Sequence, residues 1–144
     1  MKSRLLVVLF VVLGFAGSPS AFAAQAASPP AIDPAFDVPA TDEGLPGAGP
    51  IRRADWFRPI WSRHRKAWSQ RVEADQNAVV FLGDSITDGW EDLASVFPGM
   101  KIANRGISGD TSRGVLVRLQ EDVLALNPRG VVLLIGTNDI DDDA

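Results

Sequence analysis

The chain has 144 residues, 46% of them hydrophobic, and a formal net charge of −4. That length holds one domain at most, and the mildly acidic balance gives no reason to expect a nucleic-acid partner. With no cysteine, disulfides, thiolate metal sites, a cysteine nucleophile and lipid attachment at a cysteine are excluded, and His64 is the single imidazole.

Residues 1–23 read as a signal peptide. Lys2 and Arg4 precede the apolar run Leu5–Phe15, and Ala21-Phe22-Ala23 supplies a small-x-small cleavage site. The run is shorter than the roughly 20 residues a permanent span needs. Cleavage after Ala23 is expected, with Ala24-Gln25-Ala26 a competing site and an uncleaved anchor the alternative. The mature chain is thus expected to be exported, periplasmic or secreted, with no stable membrane span.

Residues 24–50 read as a Pro/Ala-rich linker. Pro29, Pro30, Pro34, Pro39, Pro46 and Pro50 remove backbone donors, and Ile32, Phe36, Val38 and Leu45 are too few to build a core. From residue 51 the pattern changes. Phe57, Trp61, His64, Trp68 and Val72 recur at near-helical spacing, which predicts an amphipathic helix with Pro59 in its first turn. Arg58, Arg63, Arg65 and Lys66 lie mostly off that stripe and read as a solvated face, the alternative being a polyanion or membrane surface. His64 falls on the stripe and reads as a core or hydrogen-bonded histidine.

Ala78–Leu82 predicts a strand buried on both faces, because it does not alternate. It ends in Gly83-Asp84-Ser85. Glu91–Phe97 predicts a short helix stopped by Pro98-Gly99, and Met100–Asn104 a second strand. The glycine-rich loop Arg105–Ser112 closes on helix-capping residues. The helix that follows carries Leu116, Leu119, Val123 and Leu126 on one face and stops at Asn127-Pro128. Gly130–Ile135 predicts a third strand, followed by Gly136-Thr137-Asn138-Asp139. This alternation implies βαβ crossovers and a parallel sheet covered by helices.

In such a sheet the loops after the strands gather at one edge, and here they carry Ser85, Gly109 and Asn138. A serine that attacks a carbonyl needs donors aimed at the oxyanion. The Ser85 and Gly109 backbone N–H groups and the Asn138 amide form a chemically sensible set. Two rival readings of these loops are weaker. Gly106, Gly109 and Gly114 lack the Lys-Ser/Thr partner of a phosphate cradle. Asp139, Asp141, Asp142 and Asp143 lack the turn glycine and terminal glutamate of a calcium loop. No metal or cofactor is implied.

Gly83-Asp84-Ser85-Ile86-Thr87, Asn104-Arg105-Gly106-Ile107-Ser108-Gly109-Asp110-Thr111 and Gly136-Thr137-Asn138-Asp139 stand in the order of three sequence blocks of the SGNH hydrolases, also called the GDSL esterase/lipase family. Over roughly residues 56–139 the chain resembles the branch similar to platelet-activating-factor acetylhydrolase subunits and bacterial acyl esterases. The resemblance implies a flavodoxin-like three-layer α/β/α fold, of which about three strands fall within this chain. It also implies Ser85 as nucleophile, with Gly109 and Asn138 in the oxyanion hole. The implied substrate is a small-molecule, lipid or acetylated-glycan ester. Asp84 and Asp110 would shape loops and take no protons.

The family also carries an Asp-x-x-His pair beyond its asparagine block, and no histidine follows Ser85 here. Residues 51–144 are therefore expected to be the N-terminal part of a longer hydrolase domain, inactive alone. The alternative is a truncated remnant or a carbohydrate- or lipid-binding module. A third idea, His64 as substitute base, requires it within hydrogen-bond reach of Ser85.

Overall fold

A computed structural model of the chain describes residues 32–140. The signal peptide read over residues 1–23, the first part of the expected linker and the acidic residues 141–143 lie outside the described residues. Among the described residues no helix is long and apolar enough to cross a membrane.

Three parallel strands, β1 (Val79–Gly83), β2 (Ile102–Gly106) and β3 (Gly130–Leu134), form a sheet in the order β2-β1-β3. Val79 stands opposite Ile102 on one side and Gly130 on the other, so the strands end almost level. Helix α1 (Phe57–Ser69) precedes β1, α2 (Ser85–Asp88) and α3 (Leu93–Val96) lie between β1 and β2, and α4 (Ser112–Asp122) lies between β2 and β3. This is the α/β arrangement expected. The second strand starts two residues later than predicted and continues through Arg105 and Gly106, which pair with Leu82 and Gly83.

Successive β1 side chains point to opposite faces. Val80 and Leu82 pack with Ala103, Val115, Val123 and Leu126. Phe81 faces the other way into Trp90 and Phe97, at ring distances of 6.0 and 5.5 Å. That accounts for the unbroken apolar run in this central strand. In β3, at the edge of the sheet, Val131, Val132, Leu133 and Leu134 are all exposed.

The segment expected as a linker is different over residues 32–50. Val38 is 5% exposed and joins Ile51, Phe57, Trp61, Trp68 and Ile107 in a second core. Proline removes a donor but keeps its carbonyl, and those carbonyls are used here. Arg53 donates to Pro39 O at 2.7 Å, Arg113 to Pro46 O at 3.3 Å and Thr111 to Pro50 O at 2.8 Å. Asp42 pairs with both Arg53 and Arg113, and Asp37 with Arg58. Four apolar residues were too few for a core of their own, but Val38, with Leu45 packed alongside, joins a core shared with α1.

The basic face of α1 is also only partly solvated. Arg63 and Lys66 are exposed, Lys66 with Asp33 at 3.1 Å. Arg65 is buried, donating to Asp122 at 3.0 Å and to Glu121. The apolar face expected from α4 onward holds at Leu119, Val123 and Leu126 but shares the interior with charged residues. Leu116 is exposed, and Val115, Arg118 and Asp122 point inward.

Candidate active site

The three loops expected to meet do meet, held by side chains that bond to neighbouring backbone. Asp84 is buried at the end of β1 and its carboxylate accepts from Ile86 N at 3.0 Å, which caps α2. Ser85 is the first residue of that helix and is exposed. Its hydroxyl makes no hydrogen bond to another described residue. Helix α2 lies across the end of β2, where Gly106 leaves no room for a Cβ beneath the backbone of Thr87 and Asp88. Asn104 fixes that crossing, donating to Thr87 O at 2.7 Å and accepting from Gly106 N at 2.8 Å.

The loop after β2 turns at residues 107–110, closed by Asp110 N to Ile107 O at 3.0 Å. Gly109 is its third residue, with φ +88°, the position where a type II turn requires positive φ and favours glycine. The N–H groups of Ser85 and Gly109 donate to no other described residue. Asp88, the last residue of α2, accepts from Ser108 N at 3.1 Å and Ser108 Oγ at 2.6 Å, tying the serine loop to the residue before Gly109.

Thr111 caps α4 through Gly114 N at 3.1 Å. The turn after β3 is clipped to the same place. Asn138 Nδ2 donates to Asp110 O at 2.9 Å, and the Asp139 carboxylate accepts from Ser112 N at 3.0 Å and Ser112 Oγ at 3.2 Å. An amide NH2 has two hydrogens, so one bond orients Asn138 and a second donor remains.

Beneath the loops lies a buried ionic cluster the sequence reading missed. Arg118, 0% exposed, donates from Nε to Asp110 at 2.8 Å and from Nη2 to Arg105 O at 2.9 Å and Gly83 O at 3.4 Å. Its guanidinium also lies 5.8 Å from the Trp61 ring and 5.5 Å from Trp68. Arg105 is buried too, bonded to Asp75 at 2.7 Å and to Asp122 O at 3.1 Å. Burial pushes the Asp110 carboxyl up to about 6 against the opposing pull of Arg118. Burial likewise raises Asp122, with Arg65 and Arg118 pulling it down. Asp75 is lowered, because its bonds from Arg105 and Arg71 outweigh its burial. An arginine in a helical pattern reads as surface, so Arg118 had no signal of its own beyond its eight-residue distance from Asp110.

His64 is half-buried against Trp68, with rings 5.3 Å apart, and its Nε2 lies 3.4 Å from Asp88 Oδ1. Burial lowers its pKa and Asp88 partly offsets this. It makes no hydrogen bond to Ser85, so the condition for a substitute base is not met. No group of His, Asp and Glu that could hold a metal occurs among the described residues. A cleft of about 360 Å³ on the outer side of α1, lined by Ile32, Asp33, Arg63 and Lys66 among others, includes none of Ser85, Gly109 and Asn138.

Residues 81–144 match the model of the GDSL-like Lipase/Acylhydrolase family. A protein of Geobacillus stearothermophilus named acetylxylan esterase is 44% identical over 50 residues, which is 33% of this chain and 23% of that relative. The chain therefore matches less than a quarter of that relative's length. With the parallel sheet and the three loops in their expected order, residues 81–144 are similar to the GDSL-like lipase/acylhydrolase family, a match that spans less than half of the chain.

Proposed function

We propose that the protein is a serine ester hydrolase that removes short acyl groups, foremost acetyl, from a carbohydrate. The observation that carries this reading is the meeting of three strand-end loops. They present an exposed serine hydroxyl, two backbone N–H groups with no other described partner, and an oriented asparagine amide. The name of the partial relative favours a carbohydrate ester over a lipid one. The leader pattern of residues 1–23 supports action outside the cytoplasm.

In this reading Ser85 Oγ attacks the acyl carbon and its proton passes to a general base. The oxyanion that forms accepts from Ser85 N–H, Gly109 N–H and Asn138 Nδ2–H. The carbon–oxygen bond to the alcohol breaks, and the alcohol departs with the proton from the base. Water then attacks the acyl-enzyme by the same route and frees Ser85. The family resemblance assigns the base to a histidine of an Asp-x-x-His pair.

The test uses p-nitrophenyl acetate and acetylated xylan. Ser85→Ala is expected to abolish release of nitrophenol and of acetate, and unchanged turnover in that variant refutes the assignment. One observation favours a second reading, a carbohydrate-binding module: the Ser85 hydroxyl has no basic partner among the described residues. An oxyanion hole without its base retains only about 10³–10⁴-fold over water. Binding of acetylated xylo-oligosaccharide with no release of acetate would favour the module.

A further inference from the structure

We infer that Trp56 is the specificity-determining wall of this site, a stacking surface for the sugar ring of the ester; the inference rests on the reading of Gly109 as an oxyanion donor. Trp56 is 52% exposed, whereas Phe57 and Trp61 in the same segment are buried. An exposed indole is unusual where its neighbours are core, and Trp56 does not serve the helix, since it makes no capping bond at the start of α1.

Its position explains it better. Cη2 and Cζ3 of the indole lie 2.5 and 3.1 Å from where a Cβ on Gly109 would stand, so the six-membered edge rests on that glycine. The ring is also fixed from other sides. The Arg52 guanidinium lies over it at 5.2 Å, and Phe57 meets it edge-on at 5.8 Å and 78°. A large aromatic surface held in place, open to solvent and touching the loop that offers the Gly109 N–H has the character of a binding wall.

Its chemistry selects the ligand class. A flat, half-open aromatic face suits a ring that is apolar on its faces and polar at its rim, and a pyranose fits that description. Its C–H groups can pack on the indole while its hydroxyls stay hydrated. An alkyl chain gains only in proportion to the area it removes from water, which an open surface provides poorly. Trp56 falls off the helical stripe of Phe57, Trp61, His64, Trp68 and Val72.

The test compares Trp56→Ala and Trp56→Phe with the parent protein on two acetate esters, an acetylated xylo-oligosaccharide and ethyl acetate, which has no ring to stack. Trp56→Ala is expected to lower the ratio of kcat/KM on the sugar ester to that on ethyl acetate about tenfold, mainly through KM, and Trp56→Phe to restore most of it. Equal losses on both esters, or none, overturn the inference. Failure of the hydrolase reading shows separately, as Ser85→Ala leaving turnover intact. Calorimetric titration of acetylated xylo-oligosaccharide into Ser85→Ala protein decides the matter even without turnover. Adding Trp56→Ala is expected to raise Kd about tenfold; an unchanged Kd, or no binding in the Ser85→Ala parent, overturns it.

Discussion

Replacing Arg118 by methionine tests whether the buried ionic cluster holds the site's loops in place. Methionine keeps much of the side-chain volume against Trp61 and Trp68 but removes the charge and the donors. Asp110, 1% exposed, then loses its cation, and the Arg105 carbonyl loses its side-chain donor. Gly83 O keeps its bond from Ile107 N at 3.0 Å, so that loss is small. Stranding one partner of a buried pair costs about 3–5 kcal/mol. For a domain with total stability of roughly 5–15 kcal/mol, that is a large fraction.

Urea unfolding followed by tryptophan fluorescence reads this directly. With an m-value of about 1–3 kcal/mol/M, the midpoint should fall by about 2 M at pH 8. The pH dependence is the sharper check. In the parent, Asp110 is raised from 3.8 to about 6. The stability it contributes is complete below 3.8 and is lost as pH rises through 6. Without Arg118 the folded value climbs further, so the loss extends to higher pH. The difference between variant and parent is therefore largest above neutrality and shrinks on acidification, as Asp110 neutralises. A penalty under about 1 kcal/mol at pH 8, or one that grows on acidification, refutes the account. Adding Asp110→Asn to Arg118→Met should recover part of the loss, and simple additivity would mean that the two residues are not coupled.

Two further outcomes follow from the loops. Asn138→Ala should lower kcat about 10²–10³-fold on either acetate ester, as loss of one oxyanion donor does, with KM little changed; a change confined to KM argues for a binding role alone. His64 gives the single histidine C2–H signal in the NMR spectrum, and its midpoint should lie below the ordinary 6.5, with Asp88→Asn lowering it further by removing the opposing charge. Because that folded value is depressed, stability should fall as pH drops from 6.5 through it, and a midpoint at or above 6.5 contradicts the burial argument.

What the sequence made legible was whatever depends on period and punctuation. The apolar run into Gly83-Asp84-Ser85, the turn glycine at Gly109 and the clip at Asn138 all follow from local rules about strands, turns and caps. Arg65, Arg105, Arg118 and Asp122 followed no local rule. Each sits in a helix or strand where a charged residue ordinarily marks solvent, and only the tertiary fold stacks the three arginines against Trp61 and Trp68 and brings Asp122 to Arg65. Residues 32–50 failed for a related reason. Proline density predicts the absence of helix, which is right, but says nothing about whether proline carbonyls will find donors. Arg53, Arg113 and Thr111 lie 14 or more residues away along the chain, and no spacing rule connects them.

His64 joins these two kinds of residue. Its place on the apolar stripe of α1 was legible, but its partner was not. Asp88 is held by two bonds from Ser108, so the carboxylate that His64 meets is already part of the join between the serine loop and the glycine loop. The imidazole packs on Trp68 with its Nε2 3.4 Å from that carboxylate. To act on Ser85 it would have to give up Asp88 and expose the Trp68 face, while gaining a single hydrogen bond worth about 1 kcal/mol net. The arrangement instead makes α1 a brace. One end sets Trp56 against Gly109, and the middle presses His64 against the loop that carries Ser85. A segment outside the three sequence blocks thus touches the second at Gly109 and reaches Asp88 just past the first, which is why its aromatic residues bear on the site as much as on the core.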